Sequence, residues 1–150
     1  MESKEGLRHL LRELLNTQKF AVLSTHSAGQ PYASLVAFAC DEDLRAIYFV
    51  TARSTRKFAN LESDGRVALL VSSSANREDD LHAAMAVTIV GRAAESRGAE
   101  REAALALYLR KHPWLEEFAR APTCALVKVA VRTFVLVKNF QHVMELHVAS

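Results

Sequence analysis

Cysteine is scarce: Cys40 and Cys124 are the only two, far apart and outside any metal-type spacing. Two isolated thiols exclude a disulfide framework and suit a reducing compartment, so a cytoplasmic location is expected. Glycine and proline number 5 and 3 in 150 residues, too few for a collagen-like or low-complexity chain. No apolar run reaches the roughly 18 residues of a spanning helix, because Arg, Lys, Asp or Glu interrupts each one. No membrane is expected as a partner. The polar start Met1-Glu2-Ser3-Lys4-Glu5 shows no secretory leader. A surplus of one charge is missing too: 19 basic and 17 acidic side chains leave +2. A general nucleic-acid binder needs a strong basic field, so nucleic acid is not an expected partner.

What is present is core material. Half of the residues are apolar, enough for one domain spanning 1–150. Leu7, Leu10, Leu11, Leu14 and Leu15 recur at spacings of three and four, which predicts a helix over 4–16. Short β-branched runs predict strands over 20–25, 32–40, 46–51, 66–72 and 85–94, the last with a bulge at Gly91. Residues 124–137 form the longest run, with Val127, Val129 and Val131 dry and Lys128, Ala130 and Arg132 wet. Residues 140–148 suggest a last short strand. Short helices are expected after Ser54 or Thr55, over 100–111 and from Pro113. Residues 73–82 read as a polar loop. Six or seven strands with few helices between them predict a mainly β protein, a mostly antiparallel barrel or sandwich with flanking helices.

The richest chemistry lies between Thr51 and Lys57. Arg53, Arg56 and Lys57 stand with Thr51, Ser54 and Thr55 where a strand turns into a helix. A helix start offers free N–H groups and partial positive charge. With hydroxyls and fixed cations added, it can take a phosphate. The plainer alternative is a solvated, well-capped helix start. The glycines of a P-loop are missing.

Other chemistries find little support. The six histidines, His9, His26, His82, His112, His142 and His147, show no zinc-type spacing, so no metal is expected. No nucleophile elbow occurs. No catalytic acid or base can be named. Tyr108 and Trp114 read as core or interface aromatics.

In order, Gly29-Gln30-Pro31-Tyr32, a strand, an acidic hairpin, the strand AIYFVT, Ser54-Thr55-Arg56-Lys57, Asn60-Leu61 and Arg66-Val67-Ala68-Leu69-Leu70 resemble the pyridoxamine 5'-phosphate oxidase-like flavoproteins. The likeness covers about residues 7–94 well and the rest loosely. It implies a split β-barrel of the FMN-binding type and a homodimer with FMN at the interface. It maps the strand along the flavin to Ser34, Leu35, Val36, Ala37, Phe38 and Ala39. A residue pair at the end of the next strand maps to Val50 and Thr51. The basic pair on the FMN phosphate maps to Arg56 and Lys57, with Arg53 and Ser54 in the same turn as candidate helpers.

The departures are also specific. Ser34 and Ala39 stand where the vitamin-pathway oxidase carries an Arg and a Lys, and Ala86 stands in place of a Gln that contacts FMN. The C-terminal Arg-x-His element of that enzyme is missing. The resemblance therefore implies an FMN-dependent oxidoreductase with an unknown small-molecule substrate or electron donor, and not the pyridoxamine phosphate oxidase itself. The alternatives are a non-catalytic FMN carrier or sensor, and a relative holding haem or a deazaflavin in the same barrel. Asn76, Arg77, His82, Phe140 and Gln141 are candidates to line the flavin or substrate face.

Overall fold

The structure, a computed structural model, describes residues 3–139 and 142–149. It opens with helix α1 (Lys4–Thr17), followed by strands β1 (Phe20–Ser27), β2 (Gln30–Cys40) and β3 (Ala46–Ala52). Helix α2 (Arg56–Ser63) leads into β4 (Arg66–Ser72). A single helical turn, α3 (Asp80–Ala83), sits at the end of the polar stretch expected to be all loop, ahead of β5 (Met85–Glu95). Helix α4 (Gly98–Lys111), one 3-10 turn (Pro113–Leu115) and α5 (Glu116–Arg120) precede β6 (Cys124–Lys138) and β7 (His142–His147).

The strands run antiparallel in the order β3-β2-β1-β4-β5-β6-β7, and β3 pairs again with β6. That last pairing closes six strands into a barrel and decides against a sandwich. Strand β6 has two neighbours on one side in succession. Its first half, up to Ala130, pairs with β3, and from Thr133 it pairs with β7. The barrel is split where this change occurs.

Local sequence explains most of these elements. The β1–β2 hairpin turns on Ala28 and Gly29, both at positive φ (49° and 81°), as a two-residue turn matched to strand twist requires. Ser3 caps α1 by accepting the N–H of Gly6 at 3.0 Å. The leucine stripe then buries Leu7, Leu11, Leu14 and Leu15 against the barrel core. Inside the barrel lie Leu23, Phe38, Phe49, Ile89, Val127 and Phe134, all shielded from solvent. The alternation expected in β6 holds, with Val127, Val129 and Val131 buried and Ala130 and Arg132 exposed.

A second, smaller core lies outside the barrel wall. Helices α4 and α5 press Ala104, Leu105, Tyr108 and Ala119 onto Ala39, Val50, Cys124 and Leu126. Tyr108 also donates its hydroxyl to the Ala37 carbonyl at 3.3 Å, which clamps α4 to β2. Trp114 is no part of this core; it is 68% exposed, with the Lys19 ammonium 5.3 Å from its ring centroid. Among the described residues no helix is long and apolar enough to cross a membrane.

Candidate functional site at the start of α2

The turn from β3 into α2 is built by hydroxyls. Thr51 Oγ1 lies 2.9 Å from Thr55 Oγ1, and both reach the Ala52 carbonyl, at 3.1 and 2.9 Å. Thr55 also caps α2 by accepting the Phe58 N–H. Thr51 is buried, so these hydroxyls hold the turn and leave the cations to face outward. The first helical bond runs from Ala59 N–H to the Thr55 carbonyl. The N–H groups of the first turn before it lack helical partners, as at any helix start.

The three cations of this turn have separate fates. Arg53 sends Nη1 to both carboxylate oxygens of Glu95, each at 2.7 Å, and Nη2 to the Cys124 carbonyl. Arg56 is exposed, with its guanidinium carbon 5.8 Å from the Tyr32 ring centroid. Arg56 and Lys57 make no ion pair among the described residues. Ser54 is exposed in the same turn. Two unpaired cations therefore stand at the open end of α2, beside the first residues of β2.

Strand β2 divides its residues between two faces. Ser34, Val36 and Phe38 belong to the barrel side: Ser34 pairs with the buried Leu23, and its Oγ is buried with no hydrogen-bond partner among the described residues. Leu35 points out and is 66% exposed. Ala37 is half-buried, and Ala39 and Val50 are covered by α4. A group lying along this strand would meet the side chains of Leu35 and Ala37 and the backbone of the others.

Leu35 does not stand alone. It is the cross-strand partner of Val22, and Val22 is the partner of Leu70 on β4. With Phe20 they form an exposed apolar stripe across β2, β1 and β4. The stripe runs into an apolar cleft of about 410 Å³ lined by Leu70, Thr88, Ala86 and Val137. Ala86, where a polar flavin contact was expected to be lost, faces that cleft.

The remaining candidates scatter. Asn76 is exposed at positive φ, and Arg77 lies 3.6 Å from Asp79. The His82 side chain, Phe140 and Gln141 lie outside the described residues. Buried His112 places Nε2 2.8 Å from the Phe38 carbonyl, and burial pulls its pKa down. His26 is 3.1 Å from Asp64, and His147 is 3.2 Å from the Thr133 hydroxyl. Among the described residues no three His, Cys, Asp or Glu side chains are grouped to hold a metal. Sequence reasoning missed Glu95: it lies 42 positions from Arg53, and no local signal joins them.

The fold has close structural likenesses. A haem-binding protein from Mycobacterium smegmatis superimposes with a TM-score of 0.82 at 19% identity, over 93% of this chain and 57% of that one. The chain thus spans little more than half of that relative. A putative pyridoxamine 5'-phosphate oxidase from Listeria innocua gives 0.67 at 14% identity, over 89% and 98%. A FAD-binding protein from Mesorhizobium loti gives 0.65 at 16%, over 85% and 90%. At such identities the likeness speaks for the fold alone. No curated protein sequence matches the chain. The sequence profile of pyridoxamine 5'-phosphate oxidase, however, matches residues 7–138, from α1 through the end of β6. With the barrel, its split and the β3–α2 turn all inside that stretch, the chain belongs to the pyridoxamine 5'-phosphate oxidase family.

Proposed function

We propose that this chain binds FMN, with the phosphate at the start of α2 and the ring system along β2, and that two copies together form an FMN-dependent oxidoreductase for a small molecule. The observation that carries this reading is the pair Arg56 and Lys57, left without ion pairs at a capped helix start. A phosphate there gains charge-assisted hydrogen bonds and the helix-end field. Arg56 sits on Tyr32, so the anion would lie at the beginning of β2. Leu35 and Ala37 follow on the same strand and offer an apolar rest for a flat ring. The exposed stripe of Phe20, Val22, Leu35 and Leu70 suits a second copy of the chain, which would close the other side.

Once bound, the flavin supplies the hydride and electron transfer. The chain's own part is to fix the phosphate, orient the ring and keep water from its apolar side. Arg53 stays with Glu95 and shapes the turn.

Haem is the second reading, favoured by the haem-binding relative from Mycobacterium smegmatis. It would require an axial ligand. His112 is buried against Phe38, whereas His9, His142 and His147 are exposed and would be the described histidines open to such a ligand.

The visible spectrum of purified protein separates the two: oxidised-flavin maxima support the first reading, and a Soret band supports the second. A titration then tests the site. Arg56→Ala with Lys57→Ala is expected to weaken FMN binding about tenfold or more, as loss of charged phosphate contacts requires. Unchanged affinity would overturn the assignment. Bleaching of bound flavin by NADH or NADPH, followed by reoxidation with an acceptor, distinguishes an enzyme from a carrier.

A further inference from the structure

A second concentration of positive charge lies on the opposite wall of the barrel. In the closed ring, β6 stands across from β1, which carries part of the apolar stripe. The register sets Arg66 of β4 opposite Arg92 of β5, Arg92 opposite Ala130 of β6, and Ala130 opposite Ala46 of β3. Lys128 and Arg132 flank Ala130 two residues away on either side of β6, on the same face. Arg45 immediately precedes Ala46. Five cations thus ring two alanines on one face of four strands.

Between them is a groove of about 630 Å³. Between the cations it is lined by Ala46, Val90 and Ala130, with Tyr48 also in its lining. The bulge between Val90 and Gly91 brings β5 tight against β6: a Cβ on Gly91 would sit 2.4 Å from the Ala130 carbonyl oxygen. Bulges of this kind redirect side chains and often adjoin sites.

The charges are incompletely balanced. Asp64 pairs with Arg66 at 2.7 Å, and Arg66 holds the Asp64 carboxyl well below its ordinary range. Glu100 stands 3.5 Å from Lys128. Asp41, the one carboxylate among the described lining residues, accepts the backbone N–H groups of Arg45 and Ala46. Arg45, Arg92 and Arg132 make no side-chain ion pair among the described residues. Like charges set directly opposite across strands, as Arg66 and Arg92 are, work against the sheet. An anion between them reverses that penalty.

We infer that this groove is a second ligand site, separate from the start of α2, for an organic diphosphate carried on an apolar body. Three unpaired guanidiniums match the roughly three charges of a diphosphate, with the forked geometry that phosphate oxygens prefer. Among the described lining residues there is no amide side chain, and Tyr48 brings the single hydroxyl, so an apolar chain suits the groove better than a nucleoside. The groove adjoins the first residue of β3, whereas Thr51 and the α2 turn lie at that strand's other end.

Calorimetry on the folded full chain tests this with three probes: geranyl diphosphate, inorganic pyrophosphate and geraniol. Geranyl diphosphate should bind with one-to-one stoichiometry and about tenfold tighter than pyrophosphate, with geraniol weakest, since headgroup and body each contribute. Arg92→Ala with Arg132→Ala should weaken it about tenfold or more. Ala130→Leu, which fills the space between the cations, should reduce geranyl diphosphate binding while sparing pyrophosphate. Arg56→Ala with Lys57→Ala should change it by less than about twofold, as expected for a remote site. Absence of binding overturns the inference. So does equal affinity for the two phosphates, or a loss confined to the Arg56 and Lys57 variant. Circular dichroism and the melting temperature of each variant separate lost binding from lost folding.

Discussion

Arg53 and Glu95 form a two-pronged ion pair at 2.7 Å, with the Glu95 carboxylate 8% exposed and Arg53 42% exposed. The pair joins the β3–α2 turn to the end of β5. It takes Arg53 out of the set of cations open to a ligand and leaves that work to Arg56 and Lys57. Arg53→Ala strands a nearly buried carboxylate whose one other cation among the described residues is Arg97, at 3.3 Å. Discounted for the exposure of Arg53, the cost should be about 1–2 kcal/mol. That corresponds to a fall in melting temperature of roughly 3–6 °C for a chain of this size. FMN affinity should change by less than about threefold, because no direct charged contact to phosphate is removed. Thermal melts and an FMN titration on the one variant check both halves.

Gly91 is required by space. A Cβ there would lie 2.4 Å from the Ala130 oxygen and 2.9 Å from Val129 Cγ1. The nearer obstacle is backbone and cannot rotate away. Gly91→Ala should therefore cost about 1–3 kcal/mol, as overpacking does. A denaturant melt showing unchanged stability would contradict the tight β5–β6 approach.

Gly91 also marks how far local sequence reaches. The bulge, the leucine stripe of α1, the Thr55 cap and the alternation of β6 rest on residues close together in the chain, where spacing alone sets the face. Closure of the barrel rests on β3 meeting β6, with Ala52 opposite Cys124, and no local pattern encodes that register. The same holds for the site. The placement of Arg56 and Lys57 at a helix start is legible because the cap and its cations are neighbours in the chain. The capture of Arg53 by Glu95, the covering of Val50 by α4, and the ring of Arg66, Arg92, Lys128 and Arg132 depend on which strands become adjacent. The turn α3 covers only four residues, too short for a periodic signal.

Alkaline pH should act through two groups near Phe38 with opposite signs. Cys40 is pushed up to about 12 by burial and by Asp41. Its folded pKa exceeds the unfolded value, so its contribution is complete below about pH 8.5 and is lost as pH rises toward 12. Lys111 stands over the Phe38 ring at 3.8 Å and is pulled down to about 8 by burial. Its folded pKa lies below the unfolded value, so it adds stability as pH rises from about 8 to 10.4. Melting temperatures between pH 8 and 11 should fall less steeply for Cys40→Ala than for the unaltered chain. They should fall more steeply for Lys111→Met. Parallel curves for all three proteins would sink the assignment.

The apolar stripe gives the last prediction. Phe20, Val22, Leu35 and Leu70 are 57, 39, 66 and 45% exposed and adjoin one another across three strands. A contiguous apolar patch on a small domain marks an interaction surface. If a second copy covers it, the chain sediments at twice 16.6 kDa. Leu35→Glu with Leu70→Glu places charges in that interface and should give a species at 16.6 kDa. Neither residue is in either interior cluster, so the fold should remain, by circular dichroism. FMN binding should weaken in the same variant although Arg56 and Lys57 are untouched, because one wall of the site would be gone. A variant that stays dimeric, or a monomer that binds FMN as tightly as before, would show that the stripe does not complete the site.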